Sequence, residues 1–92
     1  MSRWLQSGLR RDVCITIAGL NDPTVSGVKR ALEKQYETRV RPKTFHGAID
    51  GLESQGVVVR TADGARERIR LTETGENGIR EQFEWMSDAL AD

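Results

Sequence analysis

The feature that most constrains this chain is a hairpin signature late in a sequence whose other apolar residues run at helical spacing. Val57-Val58-Val59-Arg60-Thr61 is rich in β-branched residues, Ala62-Asp63-Gly64-Ala65 follows, and Arg66-Glu67-Arg68-Ile69-Arg70-Leu71 alternates in polarity. β-Branched runs suit a pleated strand, and Asp-Gly is a favoured pair for a two-residue type I′ turn. With Asp63 and Gly64 in that turn, Arg60 lies opposite Glu67 and Val58 opposite Ile69. Thr61, Val59 and Val57 then oppose Arg66, Arg68 and Arg70, so one face is core and the other carries three arginines. Arg60 and Glu67 are expected to form a surface ion pair of little energetic weight, with Arg70 a structural charge near the hairpin base.

Three helices are expected before the hairpin. Leu9, Val13, Ile17 and Leu20 recur at four, four and three residues and trace one helical face. Asn21-Asp22-Pro23 ends that helix, because the residue before proline is pushed out of the α region. Thr24 or Ser26 caps a second helix, whose inner face reads Val28, Ala31, Leu32, Gln35 and Tyr36. A polar stretch leads to Pro42, which suits a first helical turn because its missing N–H costs nothing there. The third helix begins near Lys43, buries Phe45, Ala48, Ile49 and Leu52, and ends at Gly56 as its left-handed residue. After the hairpin, Thr72 caps a last helix. Its first turns are weakened by Gly75 and Gly78, and Ile79, Phe83, Met86 and Leu90 follow as a heptad seam with Trp85 beside it.

At 92 residues the chain is the size of one small domain. Fourteen basic and fourteen acidic side chains cancel, but unevenly: thirteen of the basic and eight of the acidic residues lie at or before Arg70, and one against six after it. A basic body with an acidic C-terminal segment is expected when the body meets a polyanion and the tail meets something else. No apolar run approaches the roughly 18 to 20 residues of a membrane span, and the N-terminus lacks a secretory leader. The single cysteine, Cys14, has no partner for a disulfide or a metal. A cytoplasmic protein, nucleoid-associated when it is on DNA, is expected.

Three helices, an Asp-Gly-turned hairpin and a final helix are the order of a winged helix-turn-helix, an α+β fold that is mainly α. The expected layout is one domain over 1–92, with a DNA-binding core at 9–71 and a dimerisation helix at 72–91. The same order serves winged helices that bind only protein, so an interaction or architectural module stands as the alternative. Asp12-Val13-Cys14-Ile15-Thr16-Ile17-Ala18-Gly19-Leu20, Gly27-Val28-Lys29-Arg30-Ala31-Leu32-Glu33, the run from Thr44 to Val58, and Leu71-Thr72-Glu73-Thr74-Gly75 together resemble PadR-type transcriptional regulators of the short haloarchaeal kind. The resemblance covers about Leu9 to Trp85. It departs where the family commonly has Leu-Tyr-Pro, since Phe45-His46-Gly47 stands there. It implies a sequence-specific dimeric repressor or activator whose third helix enters the major groove and whose last helix makes the dimer. Arginines far outnumber the three lysines, Lys29, Lys34 and Lys43, which fits a high-GC or halophilic source.

With Phe45, Ile49 and Leu52 inward, Lys43, Gly47, Asp50 and Ser54 point outward from the third helix. Lys43 suits phosphate or guanine, Thr44 suits phosphate, and His46 on the flank can donate to backbone or base edge. Gly47 allows close approach, and Asp50 suits cytosine N4. Arg39 and Arg41 precede the helix and are expected near flanking phosphates; Arg66 and Arg68 near the wing tip are expected on backbone or in a minor groove. Arg3, Arg10 and Arg11 form a second basic cluster. Ile79, Phe83, Trp85, Met86 and Leu90 are the expected homodimer seam, with Trp4 and Leu5 beside it or, in the alternative, folded back on the first helix. Catalysis has no support: His46 and Cys14 are single, and phosphate loops and metal-ligand spacings are missing. The expectation is double-stranded DNA and a second copy as partners, with no membrane, cofactor or metal, and an effector that the sequence leaves open.

Overall fold

In the computed structural model, which describes residues 8–91, the chain runs α1 (Gly8–Gly19), α2 (Val25–Tyr36), α3 (Pro42–Ser54), β1 (Val58–Asp63), β2 (Arg66–Leu71) and α4 (Glu73–Leu90). Arg3, Trp4 and Leu5 lie outside the described residues. The two strands form one antiparallel sheet, and α1 packs against α2, α3, α4 and β2. Among the described residues no helix is long and apolar enough to cross a membrane.

Each helix starts and stops for a local reason. Thr24 accepts a hydrogen bond from the Gly27 N–H at 3.0 Å, so Thr24 and not Ser26 caps α2. Pro42 opens α3, and Gly56, with φ of 72°, takes the left-handed position beyond its end. The inner faces meet in one core of Val13, Cys14, Ile17, Val25, Val28, Leu32, Phe45, Ile49, Leu52, Val57, Val58, Ile69 and Leu71. Three expected inner residues are exposed instead: Leu20, which lies beyond the end of α1, and Gln35 and Tyr36 in the last turn of α2. Tyr36 instead donates its hydroxyl to Asp12 of α1.

The hairpin register differs from the expected one by two residues. Val58 pairs with Leu71, Arg60 with Ile69, Thr61 with Arg68 and Asp63 with Arg66, leaving Gly64-Ala65 as the loop. Gly64 has φ of 64° and Ala65 is not left-handed, the glycine-first pattern of a type II′ turn in place of type I′. A shift by two preserves which side chains face inward, so the apolar parity is obeyed in both registers. The observed register adds Leu71 to the ladder opposite Val58, and both are buried. Its base is tied to the α1–α2 turn by the Ile69 N–H on the Pro23 carbonyl at 3.1 Å and by a bridge between Thr24 and Arg68.

Gly75 explains how α4 meets the body. A Cβ there would collide with the Val57 carbonyl oxygen and sit 3.2 Å from side-chain atoms of Leu71 and Val57. The glycine that weakens the helix by composition therefore permits its close contact with Val57, just before β1, and with Leu71 of β2. Thr72 caps α4 through the Gly75 N–H at 3.2 Å and donates its own hydroxyl to the Gly56 carbonyl at 2.6 Å.

Candidate nucleic-acid interface

The turn between α2 and α3 is set by Glu33. Its carboxylate accepts from Lys29 Nζ at 2.9 Å and from the Val40 backbone N–H at 2.8 Å. The Lys29 bond first, and the Val40 N–H second, hold this carboxyl below the usual carboxylate range. Glu37, left-handed with φ of 57°, returns its N–H to the Glu33 and Lys34 carbonyls and ends α2. These bonds aim the start of α3. Nothing in the spacing of apolar residues announces Glu33, because its partners lie on the next turn and across the loop.

On α3, Phe45, Ala48, Ile49 and Leu52 are buried, while Lys43, Thr44, His46 and Gly47 are exposed, as the periodicity predicts. The His46 ring stands edge-on to Phe45, with centroids 5.4 Å apart at 75°. A Cβ on Gly47 would meet nothing within 4 Å, so the fold does not require glycine there. Its helix cost of about 1 kcal/mol relative to Ala has no return inside the chain.

Beside this helix face lies a groove of about 290 Å³, lined by Val25, Ser26 and Lys29 of α2, Phe45 and His46 of α3, and Ala65, Arg66 and Glu67 at the wing tip. His46 and Arg66, twenty residues apart in sequence, share it. Arg41, Lys43 and Arg66 form no ion pair with another described residue, and Arg41 stands at the N-cap of α3 without a side-chain cap bond. Arg39 is exposed ahead of α3 and acts electrostatically on the Glu33 carboxylate.

Two expectations about the arginines need correction. Arg60 does not pair with Glu67, which stands opposite Ala62. It reaches α3 instead, donating to Glu53 at 2.7 Å and Asp50 at 2.9 Å, so Asp50 is not a free acceptor on the outward face. Arg68 is exposed only in part. It donates to Asp63 at 2.9 Å and to the Asp22 carbonyl at 2.7 Å, and the Asp63 bond raises its already high pKa. It thus joins the wing to the α1–α2 turn. Arg10 and Arg11 are partly buried on α1, with Arg11 3.7 Å from Asp12.

The far half of α4 is different in kind. Phe83, Trp85, Met86 and Leu90 are 69%, 57%, 47% and 83% exposed, whereas Ile79 packs against the core from a partly buried position. Gln82 is buried, and its Oε1 has no hydrogen-bond partner among the described residues. Acidic Glu81, Glu84 and Asp88 share a surface groove with Gln82 and Trp85.

Cys14 is fully buried, and burial pushes its thiol up to about 12, so it is held as a thiol and behaves as core. Among the described residues no three His, Cys, Asp or Glu side chains gather as metal ligands.

No family model matches this sequence, and neither does any curated protein. Solved structures do match. RosR from H. salinarum is 22% identical over 94% of this chain and 79% of its own, with a TM-score of 0.85. A winged-helix DNA-binding protein from STIV is 12% identical over 87% of this chain and 88% of its own, with a TM-score of 0.75. A MarR-family transcriptional regulator from Silicibacter pomeroyi is 20% identical over 89% of this chain and 53% of its own, with a TM-score of 0.72. Element order, strand pairing and these likenesses together make the fold a winged helix-turn-helix, with α2 and α3 as its helix-turn-helix and the β1–β2 hairpin as its wing.

Proposed function

We propose that this protein is a transcriptional regulator of the PadR-like kind that binds double-stranded DNA sequence-specifically as a homodimer, most simply as a repressor occupying a roughly palindromic site. The observation that carries the reading is the groove shared by α3 and the wing tip, with His46 and Arg66 on its walls, together with Arg41 and Lys43, exposed at the start of α3 and without an ion pair among the described residues. A helix of about 10–12 Å diameter fits a major groove of about 12 Å. Lys43 and His46 then face base edges or phosphates, Thr44 bonds to phosphate, and Gly47 lets the helix axis come close. Arg39 and Arg41 neutralise flanking phosphates, and Arg66 follows the backbone or enters the next minor groove. Arg68 adds charge there while it holds the wing in place.

The exposed apolar half of α4 supports the second part of the proposal. Phe83, Met86 and Leu90 recur at helical spacing as one exposed apolar stripe with Trp85 on its flank, which is costly in water, and a two-fold axis lets such a stripe cover itself. Pairing through α4 sets the separation of two α3 helices, and so of the half-sites, near one DNA turn. The cytoplasmic location, and the division into a reading core at 9–71 and a dimerisation helix at 72–91, belong to the same proposal.

The test is fluorescence anisotropy on DNA from the region upstream of the protein's own gene against scrambled DNA, across several salt concentrations. A preference of about a hundredfold that persists at high salt is the expected result. Equal, salt-labile affinity for both DNAs would favour an architectural or protein-binding winged helix.

A further inference from the structure

A carboxylate on the outward face of a DNA-reading helix is a liability, because like charges brought together at an interface weaken it. At about 100° per residue, Asp50 falls between Lys43 and His46 around the α3 axis, at the centre of the outward stripe, and Glu53 lies on its flank. Both are exposed, Asp50 with 65% and Glu53 with 40% of its side chain accessible. The nearest cation is not on α3 at all. Arg60 comes from β1, on the strand face that also carries Val58, and its guanidinium spans the two carboxylates. One terminal nitrogen reaches Asp50 Oδ1 at 2.9 Å and Glu53 Oε1 at 2.7 Å, while Nε lies 3.4 Å from Glu53 Oε2. Arg60 is itself mostly covered, at 21% side-chain exposure, so it is placed to act on the two acids more than on anything outside.

Building on the DNA-binding reading above, we propose that Arg60 is a positioning residue of the interface: it neutralises Asp50 and Glu53 and draws them toward the wing, so that α3 can approach phosphate. With Arg60 in place the trio carries one net negative charge; without it, two bare carboxylates stand beside the groove. The Arg60 bond holds the Glu53 carboxyl below its usual range, and Glu53, then Asp50, raises Arg60. It also ties the wing's first strand to the reading helix, so the two contacting elements share one fixed spacing. A planar fork suits this task, and lysine, with a point charge, does not hold two carboxylates in the same way.

The experiment is a set of anisotropy titrations of the full chain on a mixed-sequence duplex, with thermal unfolding of each variant alongside. Arg60→Gln is expected to weaken binding about tenfold, a like-charge effect of ordinary size. Adding Asp50→Asn and Glu53→Gln to it is expected to restore affinity to within about threefold of the parent chain. Were Arg60 touching phosphate itself, that triple variant would stay as weak as Arg60→Gln, and the inference would be overturned. Should Arg60→Gln fail to fold, Asp50→Asn with Glu53→Gln decides alone: binding at least as tight as the parent supports shielding, and weaker binding refutes it. A parent chain without affinity for any duplex would overturn the regulator reading and this inference with it, whereas a parent that binds and ignores Arg60→Gln overturns the inference only.

Discussion

The exposed surfaces of α3 and α4 are both one side of an amphipathic helix, yet they are made of opposite materials. On α3 the outward residues are Lys43, Thr44, His46, Gly47 and Asp50, and every large apolar side chain is buried. On the far half of α4 the order is reversed, with Phe83, Trp85, Met86 and Leu90 in solvent beside Glu81, Glu84 and Asp88. A charged helix face is stable in water by itself and needs a partner only to perform a task. An apolar one is an unmet thermodynamic demand. The difference argues for two partners of different chemistry, a polyanion on α3 and a like apolar surface on α4.

The sharpest way to break that comparison is to make α4 resemble α3. Phe83→Asp together with Met86→Asp is expected to turn a dimer into a monomer by light scattering and to weaken DNA binding about a hundredfold or more, because the second half-site contact is no longer intramolecular. Both side chains are solvent-exposed within one chain, so the folded monomer should survive. A parent chain that already runs as a monomer, or a variant with unaltered DNA affinity, would dissolve the division of labour. The converse change acts on α3. Lys43→Ala with His46→Ala is expected to remove the roughly hundredfold preference for specific DNA while the mass stays that of a dimer.

Gly75 connects the two regions, and two effects oppose each other there. Alanine would gain about 1 kcal/mol in helix propensity. The added methyl, however, meets the Val57 carbonyl, a backbone atom that cannot swing aside, and crowds Leu71. Overpacking of this kind costs about 1–3 kcal/mol, and a backbone collision belongs at the upper end. A net loss of about 2 kcal/mol is expected in urea unfolding. A stabilised Gly75→Ala would show that α4 does not rest on Val57 and Leu71 as described.

This glycine also marks where sequence reasoning stops. The helical faces of α1 and α3 were legible because burial imposes a period near 3.6 that survives in the order of residues, as Val13 with Ile17 and Phe45 with Ile49 and Leu52 illustrate. The wing was legible because β-branched residues and a glycine turn break that period. Its register was not, since moving the loop from Asp63-Gly64 to Gly64-Ala65 leaves the same side chains inward. Arg60 was given the wrong partner, Glu67, and Glu33 was missed, for a related reason. A charge has no period, and their partners are fixed by the packing of α3 against β1 and by the α2–α3 turn. Gly75 read as a weak helix start because its neighbours Val57 and Leu71 become neighbours only after folding.

A smaller effect separates the two wing-tip arginines, which looked equivalent in sequence. Arg66 has no ion pair among the described residues, and Arg68 is bonded to Asp63 and the Asp22 carbonyl. Arg66→Ala is therefore expected to cost about tenfold in DNA affinity, and to lower the salt slope by about 1, without moving the melting temperature. Arg68→Ala should move both, since it also loosens the wing from the α1–α2 turn. Equal effects of the two on binding, with unaltered melting for both, would make the Arg68 network incidental.

The smallest expected effect concerns Glu33, and its sign follows from the direction of its shift. A carboxyl that is lowered from 4.5 in the folded chain binds its proton more weakly there than when unfolded. Its contribution is therefore fully present above the unfolded value and is lost as pH falls below about 4.5 and through the lowered folded one. Melting temperature followed down that window should drop more steeply for the parent than for Glu33→Gln, which keeps an acceptor for the Val40 N–H but loses the Lys29 charge. The same variant leaves every outward residue of α3 in place, so at neutral pH it should shift DNA affinity only through the aim of the helix. Parallel acid limbs for parent and variant would show that the α2–α3 turn is held by its backbone bonds and not by this carboxylate.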